Sequence, residues 1–164
     1  MTHPPTTPWT FTDRDADQLS WHDVRLYGVT LLPDAGELAV DLDWPVQRVA
    51  PADGERYFRA WTSPATLVFH GVTGLQGSLE FPHDATILAL GLDPDQADEL
   101  GGDVFPASGT WWFIKGVVGH CRIRALGFTQ YLRAAPILVT GAILGLARRG
   151  GVSFDRRTPA DAVP

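Results

Sequence analysis

The segment ELAVDLDW, residues 37–44, shows the clearest hydrophobic alternation in the chain. Every second position is apolar, and three of the four positions between them are acidic. The apolar set is Leu38, Val40, Leu42 and Trp44, and the opposite set is Glu37, Ala39, Asp41 and Asp43. Because successive side chains of a β-strand point to opposite faces, the segment predicts a half-buried antiparallel strand with an acidic outer side.

Short strands are predicted on both sides of this segment. Residues 21–32 precede it, and Pro33 to Gly36 between the two is typical of a hairpin turn, because proline fixes φ and glycine permits positive φ. Further strands are predicted at residues 57–61, 65–72, 75–81, 85–92, 111–118, 120–128 and 151–154.

Only two short helices are predicted, at residues 93–102 and 140–151, each with a capping residue at its start and glycine at its end. The pattern predicts an α+β fold that is predominantly antiparallel β, with a curled sheet forming a sandwich or an open barrel. A parallel βαβ arrangement is excluded because the crossover helices are missing.

Length and composition predict one globular domain with a single core, since the chain has 164 residues, 45% of them hydrophobic and 20% charged. Residues 1–20 contain three prolines and are interpreted as an extended arm. The domain is predicted to span residues 21–155, and residues 156–164 are expected to fray.

The sequence also excludes several classes of protein. It has no apolar run long enough to span a membrane and no signal-peptide pattern, and its lone Cys121 cannot form an internal disulfide, so a cytoplasmic location is expected. A net charge of −6 argues against nucleic-acid binding, which needs clustered positive charge, and would suit a basic protein partner.

The predicted hairpin of residues 111–128 carries the main candidate binding site. An even-numbered turn at residues 118–120 would put one apolar set on a single face: Trp112, Ile114, Cys121, Ile123 and Ala125. The other face would carry Trp111, Phe113, Lys115, His120, Arg122 and Arg124. Like charges facing each other across a ladder are destabilising, so an anionic partner is expected.

Two anionic partners are considered for this face. The first is the acidic side of residues 37–43 on a neighbouring strand, which would form surface ion pairs. The second is an anionic ligand with a planar group, bound by the donor forks of the arginines and by the aromatic faces.

His22 and Asp23 suggest acid–base chemistry or metal binding, since imidazole titrates near neutral pH. Neighbours in a strand point to opposite faces, however, so the two are not expected to serve one site. The histidines and carboxylates lack a recognisable metal spacing, and no cofactor motif occurs, so neither a metal nor a cofactor is predicted.

The six tryptophans have two interpretations. Trp21, Trp44, Trp61 and Trp112 are predicted to anchor the core, with the alternative that several of them line a ligand cavity inside a curled sheet. Cys121 on the apolar face is expected to stay protonated, because burial disfavours the thiolate.

Four segments resemble a loosely defined group of small bacterial proteins that share a domain of unknown function. The segments are LSWHDVRLYGVTL (19–31), FRAWTSPATLVFHGV (58–72), ALGFTQYLRAAPI (125–137) and RRGGVSF (148–154). The resemblance implies a domain from about residue 19 to 154 and no particular activity. Seven polar or otherwise distinctive positions match the pattern of this group, and either a structural or a functional role is open for each. They are Trp21, His22, Asp23, Gln130, Arg133, Arg148 and Gly150.

The resulting hypothesis is a non-enzymatic binding protein that engages a protein partner or a small ligand through a sheet face or barrel mouth. Its ligand-binding residues would be Trp111, Phe113, Lys115, Arg122, Arg124 and His22. An exposed sheet edge would also allow a homodimer.

Two alternatives accompany this hypothesis. In the first, the chain is an immunity-like inhibitor of a basic toxin whose acidic patch is Asp23, Glu37, Asp41 and Asp43. In the second, it is a hydrolase or lyase with His22 or His120 as the base.

Overall fold

The computed structural model describes residues 3–51, 53–79, 86–92, 109–117 and 119–162. These ranges contain ten strands, with only short helical elements between them. The strands are β1 Thr10–Thr12, β2 Val24–Leu32, β3 Glu37–Val49, β4 Arg59–His70, β5 Gly74–Leu79, β6 Thr86–Leu92, β7 Thr110–Gly116, β8 Gly119–Ala125, β9 Gly127–Leu132 and β10 Ile137–Thr140. The helix α1 is Leu146–Arg149, and short 3₁₀ turns span Asp13–Gln18, Pro33–Ala35 and Pro159–Ala162.

All strand pairs are antiparallel, in the order β1-β9-β4-β3-β2-β6-β7-β8-β5, with β10 beside the first part of β4. The predicted α+β class with mostly antiparallel β structure is confirmed. Between described residues, strands β2 and β6 share the two pairs Val24↔Ile87 and Arg25↔Thr86 and no others, so the sheet divides there into two parts. Among the described strands the edges β1 and β5 do not pair with each other, so the sheet does not close into a barrel and the fold is sandwich-like.

An aromatic core joins the two parts of the sheet. The Phe128 ring of β9 lies 5.1 Å from the Trp112 ring of β7 and 5.4 Å from the Trp21 ring, both edge to face. Phe69 of β4 lies 6.2 Å from Phe128 between ring centroids. The four tryptophans predicted to anchor the core are all buried: Trp21, Trp44, Trp61 and Trp112.

Strand β3 differs from its prediction in one respect. Its inner side chains are buried as expected, Leu38, Val40 and Leu42 each being at most 2% exposed. The outer side is buried as well, because the C-terminal segment crosses it. We call residues 141–162 the C-terminal strap. The predicted half-buried strand is therefore covered on both faces.

The predicted arm and the predicted tail each contain a short regular element. Strand β1 in the predicted arm pairs with β9, from Thr10↔Tyr131 to Thr12↔Thr129. In the predicted tail, Thr158 is buried and Pro159–Ala162 forms a 3₁₀ turn. Part of each segment therefore packs against the rest of the fold.

Two predicted elements near the C-terminus are wrong in extent or type. The helix predicted at residues 140–151 is reduced to Leu146–Arg149, because Gly141 and Gly145 adopt positive φ values of 70° and 75°. Residues 151–154 do not form a strand and belong to the strap. The helix predicted at residues 93–102 lies outside the described residues. In the part of the chain that is described, no helix is long and apolar enough to cross a membrane.

Candidate functional site

The β7–β8 hairpin has the two faces that its alternation predicts. The register pairs Lys115 with His120 and Trp111 with Arg124, so the turn lies earlier than expected but keeps even parity. On the inner face Trp112, Ile114 and Ile123 are buried. Burial raises the pKa of the Cys121 thiol on this face, as expected for a thiol in apolar surroundings.

The outer face of this hairpin combines aromatic rings with cations. The guanidinium carbons of Arg122 and Arg124 lie 5.1 Å and 5.8 Å from the centroid of the Trp111 ring. A Cβ atom on Gly74 of the adjacent β5 would lie 3.0 Å from Trp111 Cη2, so the indole packs against that backbone. Cation–π contacts of this kind are worth about 0.5–1 kcal/mol at exposed sites. We call Trp111, Phe113, Lys115, His120, Arg122 and Arg124 the β7–β8 face.

The interpretation that residues 37–43 neutralise this face is wrong. Strands β2 and β6 lie between β3 and β7 in the sheet. Glu37 instead accepts hydrogen bonds from both terminal nitrogens of Arg156, and its Oε1 lies 3.0 Å from His70 Nδ1. The β3 carboxylates are therefore committed on the other part of the sheet.

Asp41 and Asp43 form a buried ionic cluster with Arg149. Arg149 Nη1 donates to Asp41 Oδ2 at 2.7 Å, and Arg149 Nε donates to Asp43 Oδ1 at 3.1 Å. All three side chains are 0% exposed. Arg133 Nη2 also donates to Asp41 Oδ1. Two buried carboxylates thus share two guanidinium groups.

The C-terminal strap closes this cluster from outside. Its backbone N–H groups at Ser153 and Leu144 donate to Asp41 and Asp43 at 2.9 Å and 2.7 Å. A Cβ atom on Gly28 would lie 3.2 Å from Phe154 Cζ, so the strap packs directly on β2.

The predicted acidic patch is consequently wrong for Asp41 and Asp43, which lie under the strap and not at the surface. Of the other two patch residues, Glu37 is 13% exposed and ion-paired, and Asp23 is 40% exposed. An acidic surface made of all four residues does not exist.

Tyr27 extends the cluster toward the strap. Its hydroxyl donates to Asp43 Oδ2 at 2.8 Å and accepts from the Gly145 N–H at 3.3 Å. The guanidinium carbon of Arg149 lies 3.8 Å from the centroid of the Tyr27 ring. Burial, followed by the hydrogen bond and the charge of Asp43, raises the pKa of Tyr27 to about 12.

We expect the Tyr27 phenol to ionise well above the ordinary pKa of a tyrosine. Because its folded pKa of about 12 exceeds the ordinary 10.0, its contribution to stability is complete below pH 10 and is lost as the pH rises through 12. Ultraviolet absorbance of tyrosinate during a pH titration measures this step. Tyr27→Phe should remove a tyrosinate step near pH 12, and an unchanged titration would contradict the assignment.

His22 and Asp23 are in contact, contrary to the prediction that they point to opposite faces. His22 Nδ1 lies 2.8 Å from Asp23 Oδ2. Asp23 has a φ of 62°, a left-handed conformation that interrupts the alternation before β2 begins. The imidazole is 62% exposed, and β6 separates β2 from β7. His22 therefore does not belong to the β7–β8 face.

A pocket of about 480 Å³ opens where the strap meets β4 and the end of β9. It is lined by Pro64, Arg133, Ala134, Arg149, Gly150, Ser153, Asp155, Arg157, Thr158, Pro159 and Asp161. The sequence singled out only Arg133 and Gly150 of these, through the resemblance. Arginines followed by glycines at a helix end are typical of a solvent-exposed last turn. The sequence pattern therefore did not predict that Arg149 is buried.

The structure brings several of the resemblance positions into contact with other parts of the core. Trp21 Nε1 donates to Gln130 Oε1 at 2.8 Å across the inner face. Arg133 joins the ionic cluster, and Gly150 ends α1 with a φ of 79°. Arg148 is exposed. These contacts give Gln130, Arg133 and Gly150 clear structural roles.

Among the described residues, no group of three or more His, Cys, Asp or Glu side chains is placed to hold a metal ion. No protein-family model, no curated protein and no solved structure matches the chain.

Proposed function

We propose that the protein is a non-enzymatic binding protein whose β7–β8 face takes a small ligand with an anionic group and a planar group. The observation that carries this proposal is the arrangement of two guanidinium groups about the Trp111 indole, 5.1 Å and 5.8 Å from its centroid. Lys115 on the same face is exposed.

The chemistry of the face favours such a ligand. Arginine presents a planar set of donors that matches carboxylate, sulfonate or phosphate oxygens. The rings of Trp111 and Phe113 offer apolar surface for a planar group, and both are partly exposed.

The alternatives receive less support from the geometry. An immunity-like inhibitor would use the acidic patch, of which two residues are fully buried. A hydrolase or lyase would need a substrate pocket beside its base, and the strap pocket, which is lined by described residues, includes neither His22 nor His120.

Titration with naphthalene disulfonate, a planar dianion, tests the proposal through quenching of tryptophan fluorescence. We expect the double variant Arg122→Gln, Arg124→Gln to bind the probe at least about tenfold more weakly, since two charge-assisted hydrogen bonds are lost. Trp111→Leu should reduce the affinity and also remove most of the quenching.

The matched control is the double variant Arg14→Gln, Arg148→Gln, which removes the same charge from two exposed positions outside the face. This variant should bind the probe as the unmodified chain does. Equal weakening in both double variants would indicate only a general charge effect and would rule out the proposed face. Absence of binding to the unmodified chain would also reject it.

A further inference from the structure

Three polar side chains form a hydrogen-bonded row across the outer face of strands β3, β4 and β9. His70 Nδ1 lies 3.0 Å from Glu37 Oε1, and His70 Nε2 lies 2.9 Å from Thr129 Oγ1. The three residues are distant in sequence, since 33 positions separate Glu37 from His70 and 59 separate His70 from Thr129. We call Glu37, His70 and Thr129 the Thr129 relay.

The register of the sheet places the Thr129 relay in line. Glu37 lies directly opposite His70, and His70 lies opposite Gly127. Because Gly127 has no side chain, the next side chain of β9 on this face is Thr129, two positions along the strand. Diagonal neighbours of this kind are within reach of an aromatic or long side chain. Strand pairing therefore fixes the positions of all three groups.

The charge of Glu37 sets the direction of the hydrogen bonds. The hydrogen bonds from Arg156, and then the one from His70, lower the pKa of the Glu37 carboxyl. An ionised carboxylate can only accept, so the proton of a neutral imidazole lies on His70 Nδ1. His70 Nε2 is then an acceptor, and the Thr129 hydroxyl donates to it. The hydroxyl proton thus points at a base that a carboxylate orients.

A hydroxyl paired with a base that is oriented by a third group is the arrangement that activates a nucleophile. The His70 side chain is 35% exposed and Thr129 is partly exposed, so a small molecule can approach Thr129 Oγ1 from solvent. Two further charged groups lie at the Thr129 relay. Arg156 donates to Glu37, and a Cβ atom on Gly127 would lie 3.0 Å from Asp13 Oδ1.

We infer that Thr129 is an acyl-acceptor site, which is modified by small activated esters or thioesters with His70 as the general base. Thr129 Oγ1 forms a bond to the acyl carbon while its proton passes to His70 Nε2. The bond from the acyl carbon to the leaving oxygen or sulfur breaks, and the leaving group takes the electron pair. The imidazolium returns the proton to the leaving group, so the products are acyl-Thr129 and an alcohol or thiol. Glu37 positions the imidazole.

This modification requires less of the surface than turnover of a substrate does. A single acyl transfer needs access to the hydroxyl and a positioned base, and such a base contributes roughly 10²–10⁴-fold to the rate. The Thr129 relay lies on β3, β4 and β9, whereas the β7–β8 face lies on two other strands. The modification is therefore independent of the ligand proposed for that face.

The test uses p-nitrophenyl acetate as the acyl donor. Absorbance follows the release of p-nitrophenol, and tandem mass spectrometry of acid-quenched samples locates the acetyl group. We expect a fast phase of about one equivalent per chain, with the acetyl group on Thr129. Thr12 is the internal control, because it is also partly exposed but its hydroxyl donates to the Asp15 carboxylate at 3.2 Å, a much weaker base than imidazole. Thr129 should react at least about a hundredfold faster than Thr12.

Substitutions separate the roles of the hydroxyl and the base. Thr129→Val keeps the shape of the side chain and should abolish the fast phase, whereas Thr129→Ser should retain it. His70→Gln should slow acetylation of Thr129 at least about a hundredfold, because the amide has no basic nitrogen. His22→Gln is the matched control: this imidazole also contacts a carboxylate, at 2.8 Å, but is not part of the Thr129 relay, so the fast phase should not change.

The pH profile tests the positioning role of Glu37. Acidification should slow acetylation of the unmodified chain, since a protonated imidazole cannot take the hydroxyl proton. Glu37→Gln should slow the reaction less than His70→Gln does and should move the acid limb of the profile to lower pH, because the imidazolium loses its carboxylate partner.

Four outcomes would overturn the inference: Thr129 is acetylated no faster than Thr12, Thr129→Val keeps the fast phase, His70→Gln reacts like the unmodified chain, or His22→Gln slows the reaction equally. If His70→Gln fails to fold, Thr129→Val and the comparison with Thr12 still decide. The naphthalene disulfonate titration uses none of these variants, so the two proposals succeed or fail separately.

Discussion

Arg149→Met is expected to lower the free energy of unfolding by about 3–5 kcal/mol, because it removes the main countercharge of two buried carboxylates. The side chains of Asp41, Asp43 and Arg149 are all 0% exposed, so the substitution leaves two buried carboxylates without their main counterion. Methionine fills a similar volume, which confines the effect to charge and hydrogen bonding. Equilibrium urea denaturation measures the loss.

The adjacent residue provides the control for this experiment. Arg148 is exposed, so Arg148→Met should change the free energy of unfolding by no more than about 0.5 kcal/mol. Similar small values for both variants would show that the strap does not depend on the buried cluster. The strap of the Arg149→Met chain should also become sensitive to proteolysis, since Ser153 and Leu144 donate to the same carboxylates.

This cluster marks the limit of what the alternation in residues 37–44 could reveal. The alternation of apolar and polar residues places Leu42 and Asp43 on opposite faces of the strand. This prediction needs only the strand's own sequence, and it is confirmed. Whether the polar face meets water depends on another segment, and Arg149 lies 108 positions from Asp41 in sequence. A single strand therefore cannot show whether an acidic face is solvated or covered by arginines.

The β7–β8 face could be predicted for the same local reason. Which side chains share this face depends on whether the hairpin turn has an even or an odd number of residues. The turn lies earlier than predicted but its number of residues is still even, so the same side chains share the face. The strands that connect the hairpin to β3 could not be predicted. In the order β3-β2-β6-β7, strand β2 pairs with β6, which lies more than fifty positions later in the sequence.

His22 and Asp23 illustrate a third limit. One left-handed residue, Asp23, broke the alternation on which their separation was argued.

Phe128→Ala is expected to destabilise the fold by about 3–5 kcal/mol, the usual cost of emptying a large buried aromatic site. Phe128 is 1% exposed and meets Trp21 and Trp112 edge to face. Because these rings come from both parts of the sheet, the truncation should loosen the contact between the two parts. Urea denaturation measures the stability, and near-ultraviolet circular dichroism reports the loss of fixed indole surroundings.

The size of this loss also separates two interpretations of the tryptophans. If Trp21 and Trp112 lined an open ligand cavity, Phe128→Ala would remove few contacts and cost well under the range for a packed core. Leu126→Ala, two positions away and 62% exposed, is the matched control and should stay within about 0.5 kcal/mol of the unmodified chain. A loss at position 128 no greater than at position 126 would favour the cavity, whereas a large difference assigns the indoles to the packing that holds the two parts of the sheet together.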